Sequence, residues 1–228
     1  MSGRRHSEDD FFLIAFKICG RQEELWTNRV AAWGTSLRCD DERVFEGRIS
    51  HVEILFAKED EEGVKRWFRY SIMKSRGQRL PSGKVVWKAG VVHCIASEAS
   101  GLKNYRFYKI SQKSTESSNR PRLRINDAIA FLDSQVDRPF NMEGYLLNFI
   151  LPVQFGVRNP DEAGRKKTNK WFCSELIVCA LQTCMSEEPR LMINACEQSP
   201  NMLYRIVHQH LGKPVLFEAC CIYGDCNV

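Results

Sequence analysis

The sequence predicts a single α+β domain, because strand-like segments fill the first half of the chain and helix-like segments the second. The chain has 228 residues, 43% hydrophobic and 27% charged, which suits one globular domain with a real core. A serine-rich polar linker at 112–122 separates the two halves. This order favours an antiparallel sheet packed against helices. We expect 1–9 to form a flexible N-terminus and 10–228 to form the domain.

The strands are predicted from apolar runs and from two-residue alternation. The run 11–19 is apolar throughout apart from one lysine and predicts the first strand. The segment 48–57 is rich in β-branched residues, alternates in part, and predicts another strand. The remaining expectations for this half are a helix over 22–35, strands over 67–73, 85–96 and 105–111, and a loop over 76–83.

The helices are predicted from apolar residues at helical spacing and from their start and stop signals. The segment 126–136 opens with an Asn-Asp pair suited to a cap, and 199–212 opens with Ser-Pro and ends at a glycine. The segment 173–185 has an apolar run at helical spacing. The other expectations are a helix within 138–156 ended by Pro152, a loop over 157–169, and a candidate strand in the tail from 213.

The charge and the cysteine content narrow the classes of protein to which this chain could belong. The net charge is +5 and the basic residues are scattered, so we expect solvated surface and no nucleic-acid partner. Ten cysteines without paired Cys-x-x-Cys spacing predict free thiols and no zinc site. The first apolar run is short, contains Lys17 and follows an acidic stretch. We therefore expect an intracellular protein without a signal peptide or transmembrane segment.

The segment NKWFCSELIVCALQTC, residues 169–184, places Cys173 at the first turn of a predicted helix. Unpaired N–H groups and the helix dipole stabilise a thiolate at that position, and the N–H of Cys173 itself lies near any developing oxyanion. Cys179 and Cys184 lie deeper in the same helix and are expected in the core. The competing interpretation is that Cys173 is also a small core residue.

A thiolate nucleophile needs a base, and His51 is the favoured one among five histidines. In SHVEI, strand alternation places His51 and Glu53 on one face and apolar residues on the other. Glu53 could then orient one imidazole nitrogen and leave the other for the thiol. The remaining histidines are His6 in the terminal segment, His93 in a strand, and His208 and His210 in a late helix, where we expect surface or helix-end positions.

The segments SHVEI and WFCSELIVCAL, in that order, resemble the circularly permuted papain-like amidases of the NlpC superfamily. That family includes bacterial members called YiiX and YaeF and relatives in large DNA viruses. In ordinary papain-like enzymes the cysteine helix precedes the histidine strand, whereas the permuted group has the reverse order, as here. The resemblance covers these two motifs and a loose element order over 11–210. It implies a permuted papain-like domain with Cys173 as the nucleophile and His51 as the base.

The resemblance also implies a third polar residue and a reaction. Bacterial members carry a glutamate on the return strand, where this chain has Ser71, so Glu53, Ser71 and His93 stay candidates in that order. The implied activity is a thiol hydrolase that cleaves an amide or peptide-like bond through a thioester and requires neither a metal nor an organic cofactor. Trp171 and Phe172 either line the substrate cleft or anchor the helix.

Two alternatives to an amidase stay open. One is a lipid acyl hydrolase or acyltransferase of the lecithin retinol acyltransferase-like branch, with membrane contact through the apolar stretch 145–155. The other is a papain-like module without catalytic activity that binds a partner. The expected partner of the enzyme is a peptide-like or acyl substrate, and the sequence does not indicate an oligomeric state.

Overall fold

The computed structural model describes the parts of the chain that build a sheet and the helices packed on it. The described residues are 11–19, 48–59, 65–72, 75–79, 85–89, 92–96, 104–111, 123–141, 170–184, 195, 198–211 and 214–215. The strands within them are β1 (Phe11–Cys19), β2 (Arg48–Glu59), β3 (Lys65–Ile72), β4 (Ser75–Arg79), β5 (Val85–Ala89), β6 (Val92–Ala96) and β7 (Tyr105–Ser111). The helices are α1 (Ile125–Ser134), α2 (Cys173–Cys184) and α3 (Pro200–Leu211).

The main sheet has five strands in the order β6-β3-β2-β1-β7, and each neighbouring pair is antiparallel. Helix α2 packs on β2 and β3, α3 packs on β2 and β7, and α1 packs on α2. The predicted α+β architecture, an antiparallel sheet packed against helices, is confirmed. The strand that carries His51 is β2, in the centre of the sheet, and it precedes the cysteine helix in the chain.

Alternation along the strands produces two buried faces. On β1, Phe12, Ile14 and Phe16 belong to the cluster that contains the helices, while Leu13 and Ala15 belong to a smaller cluster on the opposite face. Burying each large apolar side chain contributes about 1.5–3 kcal/mol to folding. Because both faces are apolar, β1 has the continuous apolar sequence that predicted it.

The segment between β3 and β7 differs from the prediction. The expected loop over 76–83 begins as strand β4, which pairs with β5 in a separate two-stranded sheet. The expected single strand over 85–96 is two strands, since β5 pairs with β4 whereas β6 pairs with β3. Apolar periodicity indicates a strand but not a change of partner, so the sequence could not reveal this division.

The helix starts were predicted with mixed success. Ser199 caps α3, because its Oγ accepts a hydrogen bond from the Met202 N–H at 3.2 Å, as the Ser-Pro signal predicted. The Asn-Asp cap predicted for α1 is wrong. That helix begins one residue earlier, and Arg124 at the N-cap makes no side-chain cap bond. The backbone N–H of Arg124 donates a hydrogen bond to the Cys184 carbonyl at the end of α2, at 2.6 Å. Asp127 therefore lies within the first turn of α1, where its negative charge interacts favourably with the helix dipole.

Several predictions fall wholly or partly outside the described residues. These are the flexible segment 1–9, the helix over 22–35, the linker 112–122, the loop 157–169, and most of 138–156 and of the tail. The described start of 138–156 is not helical, since Phe140 forms a bridge with Trp171. In the tail, Val215 pairs with Phe107 of β7. Among the helices described, none is long and apolar enough to cross a membrane.

Candidate active site

The first turn of α2 is fixed by buried polar contacts. Helix formation begins at Cys173, where the Leu176 N–H donates to the Phe172 carbonyl at 3.1 Å. Glu175 Oε2 accepts from the Phe172 N–H at 3.4 Å, which is one half of a capping box. Ser174 Oγ donates to the Gln198 carbonyl at 2.5 Å. Together these bonds hold the helix start, and with it Cys173, against the segment that leads into α3.

Trp171 anchors the approach to this helix. Its backbone N–H donates to the Pro139 carbonyl at 3.0 Å, and its carbonyl accepts from the Asn141 N–H at 2.7 Å. The indole Nε1–H donates to Gln135 Oε1 at 3.0 Å. Trp171 is 7% exposed and Phe172 is 1% exposed. Of the two interpretations of this aromatic pair, the described contacts are those of an anchor.

A β-bulge in β2 lies immediately before His51. Lys17 of β1 pairs with His51 while the next residue, Ile18, pairs with Ile49, so Ser50 is the extra residue. The register between β2 and β3 runs only as far as Ile54, and His51 lies beyond that end. A bulge twists the strand and changes the direction of neighbouring side chains. His51 therefore lies at a place where the sheet departs from regular pairing.

The His51 imidazole contacts two of the three candidates for the third polar residue. Its Nε2 lies 2.9 Å from Ser71 Oγ and 3.2 Å from Glu53 Oε1. Ser71 Oγ in turn donates to Glu53 Oε1 at 3.1 Å. Ser71 thus accepts from the imidazole and passes the hydrogen-bond chain on to the carboxylate. His93 pairs with Ser71 in the backbone register of β3 and β6, and its side chain lies outside the described residues.

The Glu53 carboxylate is 1% exposed and is held by groups from three strands. Besides the contacts of Oε1 with His51 and Ser71, Tyr105 donates its hydroxyl to Oε1 at 3.0 Å and Arg69 Nε lies 3.2 Å from Oε2. Burial opposes ionisation. The hydrogen bond and charge of His51, the charge of Arg69 and the Tyr105 bond outweigh burial and lower the pKa of Glu53. Glu53 is therefore an anion at neutral pH.

Cys173 and His51, which come from different halves of the chain, are neighbours in the folded protein and interact electrostatically. The Nε2 atom of His51 contacts Ser71 and Glu53, so an interaction between the imidazole and the thiol would use Nδ1. Burial lowers the pKa of His51, but the charge of Cys173 and the bond to it, with the bond and charge of Glu53, raise that pKa to about 10. An imidazolium beside a sulfur stabilises the thiolate. The His51 side chain is 17% exposed, so this buried thiol adjoins a group that solvent reaches.

The other thiols of α2 have different surroundings. Cys184 is 1% exposed in the main core, which confirms its predicted place there. Burial raises its pKa to about 12, the charge of Asp127 adds to this, and the bond with the Arg124 backbone opposes it. Cys184 is therefore a neutral thiol at physiological pH. Cys179 is partly buried and packs against the same core.

Two residues of the site, Arg69 and Tyr105, were missed by sequence reasoning. They come from strands whose register against β2 is not readable in one sequence. His208 and His210 lie in the last turn of α3, as predicted, and His208 in addition bonds through Nδ1 to the Tyr108 hydroxyl at 2.8 Å and stacks its ring on Tyr204. Within the described part of the chain, no group of three or more histidine, cysteine or acidic residues could hold a metal ion.

The fold and the site together define an α+β domain in which a helix-start cysteine meets a strand histidine supported by a serine and a buried glutamate. Comparisons of the chain with protein-family models, with curated proteins and with solved structures each find no match. The function must therefore be inferred from the geometry of the site itself.

Proposed function

We propose that the protein is a cysteine-dependent hydrolase of the permuted papain-like type that cleaves an amide or peptide-like bond. The observation that carries the proposal is the place of Cys173 beside His51, whose Nε2 begins a hydrogen-bond chain through Ser71 to Glu53. Its members come from α2, β2 and β3, so folding alone brings them together. A nucleophile, a base and a group that orients the base are what acyl transfer through a thioester requires.

In the proposed reaction the Cys173 thiolate attacks the acyl carbon of the substrate, and the carbonyl π electrons move to oxygen. The N–H of Cys173, at the first turn of α2, lies close to the resulting oxyanion. The oxyanion then re-forms the carbonyl and expels the amine, which takes the proton from the His51 imidazolium. The product of this half is a thioester on Cys173 and a neutral imidazole.

In the second half the neutral His51 removes a proton from water, and the hydroxide attacks the thioester carbon. Collapse of the second tetrahedral species releases a carboxylic acid and returns the sulfur as a thiolate beside the imidazolium. Glu53 and Ser71 act on the far side of the ring. They hold Nε2, direct Nδ1 to the sulfur, and stabilise the imidazolium through a buried negative charge.

The other proposals that the sequence left open differ in substrate or in chemistry. A lipid-acyl substrate would rely on the apolar stretch 145–155, which lies outside the described residues. A non-catalytic binding module would not need an imidazole, oriented by a buried carboxylate, beside the thiol. An intracellular setting fits Cys19, Cys173, Cys179 and Cys184, which are free thiols.

The test uses an activated acyl ester, p-nitrophenyl acetate, as a minimal acyl donor. We expect a burst of nitrophenol and an acetyl group on the Cys173 peptide by mass spectrometry. Cys173→Ala removes both signals, and Cys184→Ala, at the other end of the same helix, is the matched control that retains them. Acylation spread evenly over the cysteines, with no loss of the burst in Cys173→Ala, would contradict the proposal and favour the binding module.

A further inference from the structure

A buried asparagine of α3 contacts the strand that carries His51. Asn201 Oδ1 accepts a hydrogen bond from the Ile49 N–H at 2.8 Å, and Asn201 Nδ2 donates to the Ile49 carbonyl at 3.1 Å. Asn201 is fully buried and Ile49 is 1% exposed. A single side-chain amide thus pairs with both backbone groups of one strand residue.

The contact between Asn201 and Ile49 lies next to the bulge of β2 that precedes His51. Ile49 is the residue directly before the bulge at Ser50, and His51 directly follows that bulge. Ile49 still pairs with Ile18 of β1, but the register between β2 and β3 ends at Ile54, so β3 does not supply partners for the Ile49 backbone. A buried backbone group without a partner is costly. A carboxamide carries the same donor and acceptor as a peptide unit. Asn201 therefore replaces a neighbouring strand at the point where the direction of β2 changes.

The same short segment also contacts the other half of the dyad. The Gln198 carbonyl, three residues before Asn201, accepts the Ser174 hydroxyl bond beside Cys173. The start of α3 is thus bonded to the residue next to the thiol and to the strand next to the imidazole. A shift of this segment would change the distance between sulfur and ring.

We propose that Asn201 is a positioning residue for the reaction described above, and that it holds the β2 bulge so that the His51 ring points at Cys173. The inference rests on the proposed function, because positioning matters only if the pair reacts. Asn201 acts through the two hydrogen bonds that it makes with the backbone of Ile49. The sequence could not reveal this role, since an asparagine near a helix start is typical of capping.

The test compares Asn201→Leu, which keeps the volume and removes both bonds, with Val207→Ala. Val207 is a buried core residue later in the same helix, and its truncation weakens α3 packing while it leaves both Asn201–Ile49 hydrogen bonds in place. Two readouts are taken at 25 °C: the NMR titration midpoint of the His51 ring, and the rate at which iodoacetamide alkylates Cys173 at pH 6.5. Thermal melting is recorded for each variant.

We expect Asn201→Leu to lower the His51 midpoint from about 10 towards its ordinary 6.5. The rate of Cys173 alkylation should fall about tenfold, a factor that corresponds to the free energy of about one hydrogen bond. Val207→Ala should lower the melting temperature and leave both readouts at the parent values. If Asn201→Leu does not fold, Asn201→Ser, which keeps a shorter donor and acceptor, gives the same readouts with a smaller shift.

The outcomes separate this inference from the proposed function. A parent-like His51 midpoint in a folded Asn201 variant would overturn the positioning role, whatever Cys173 does. Equal shifts in the Asn201 and Val207 variants would also overturn it, because helix packing alone would then explain them. A parent protein whose Cys173 reacts no faster with His51 than without it would overturn the proposed function instead.

Discussion

Cys173 and Cys184 lie at opposite ends of α2 and are buried to nearly the same extent, at 3% and 1% exposed. Both belong to one apolar cluster. Burial, with a smaller contribution from the charge of Asp127, raises the pKa of Cys184 to about 12. Beside Cys173 lies a protonatable imidazole supported by a buried carboxylate. Two thiols that are buried to the same extent thus have different charged and hydrogen-bonding partners, so burial alone does not decide the chemistry of a thiol.

The helix itself adds to this difference. The N-terminus of a helix carries a partial positive charge and unpaired N–H groups, while its C-terminus carries a partial negative charge. Cys173 lies at the end that favours an anion, and Cys184 lies at the end that disfavours one. The dipole and the side-chain partners therefore act in the same direction at each end.

The largest expected effect is the difference in reactivity between the two thiols. A free thiol is about 1% ionised at pH 6.5, and a thiol with the pKa of Cys184 is ionised far less. We expect iodoacetamide to alkylate Cys173 at least about 10³-fold faster than Cys184 at that pH. Peptide mass spectrometry of the native protein measures both rates in one sample. Similar alkylation rates for Cys173 and Cys184 would show that their surroundings do not make the two thiols differ in reactivity.

Removal of the Glu53 charge should lower the reactivity of Cys173 and leave that of Cys184 unchanged. Glu53→Gln leaves Arg69 and His51 without a buried anion, so we expect a loss of about 2 kcal/mol in the free energy of unfolding. Alkylation of Cys173 should slow, and that of Cys184 should not change. Ser71→Ala is the milder matched variant, because the direct contact between His51 and Glu53 remains. Urea denaturation and the alkylation assay report the two effects, and equal stability of Glu53→Gln and parent would count against the network.

Acid should remove the contribution of the same carboxylate. The folded pKa of Glu53 lies below its ordinary 4.5, so the folded state holds fewer protons than the unfolded state near that pH. Its stabilisation is present above about pH 4.5 and is lost as the pH falls through the folded pKa. We expect the parent to lose stability more steeply than Glu53→Gln below pH 4.5, measured by urea denaturation across that range. Parallel curves would mean that the Glu53 pKa is not lowered by folding.

The smallest expected effect on the site comes from Cys184→Ala. Truncation of a buried side chain of this size costs about 1 kcal/mol in the free energy of unfolding. The rate and pH dependence of Cys173 alkylation should match the parent, because Cys184 lies at the far end of α2. A change in Cys173 reactivity would show that the two ends of the helix are coupled.

The sequence predicted the strands and helices that carry the site better than it predicted the contacts between them. Strand β2 and helices α2 and α3 follow from apolar periodicity and from local start signals such as Ser199. The shared face of His51 and Glu53 follows from strand alternation. These are local properties, and a single segment contains all the information they need.

The parts that could not be predicted depend on pairing between distant segments. Arg69 and Tyr105 reach Glu53 because of strand register, and the bulge at Ser50 is visible only against β1. The split between β5 and β6 likewise depends on which strand each one pairs with. Asn201 reads as an ordinary residue near a helix start until its contact with β2 is seen.

The pH dependence of Cys173 alkylation in the parent and in His51→Ala shows whether His51 activates Cys173. We expect Cys173 in the parent to be alkylated rapidly well below pH 8.5, the ordinary midpoint of a free thiol. In a folded His51→Ala variant this advantage should disappear. A parent profile that rises only near pH 8.5 or above, unchanged by the substitution, would mean that His51 does not activate Cys173 and that Cys173 is a core residue like Cys184.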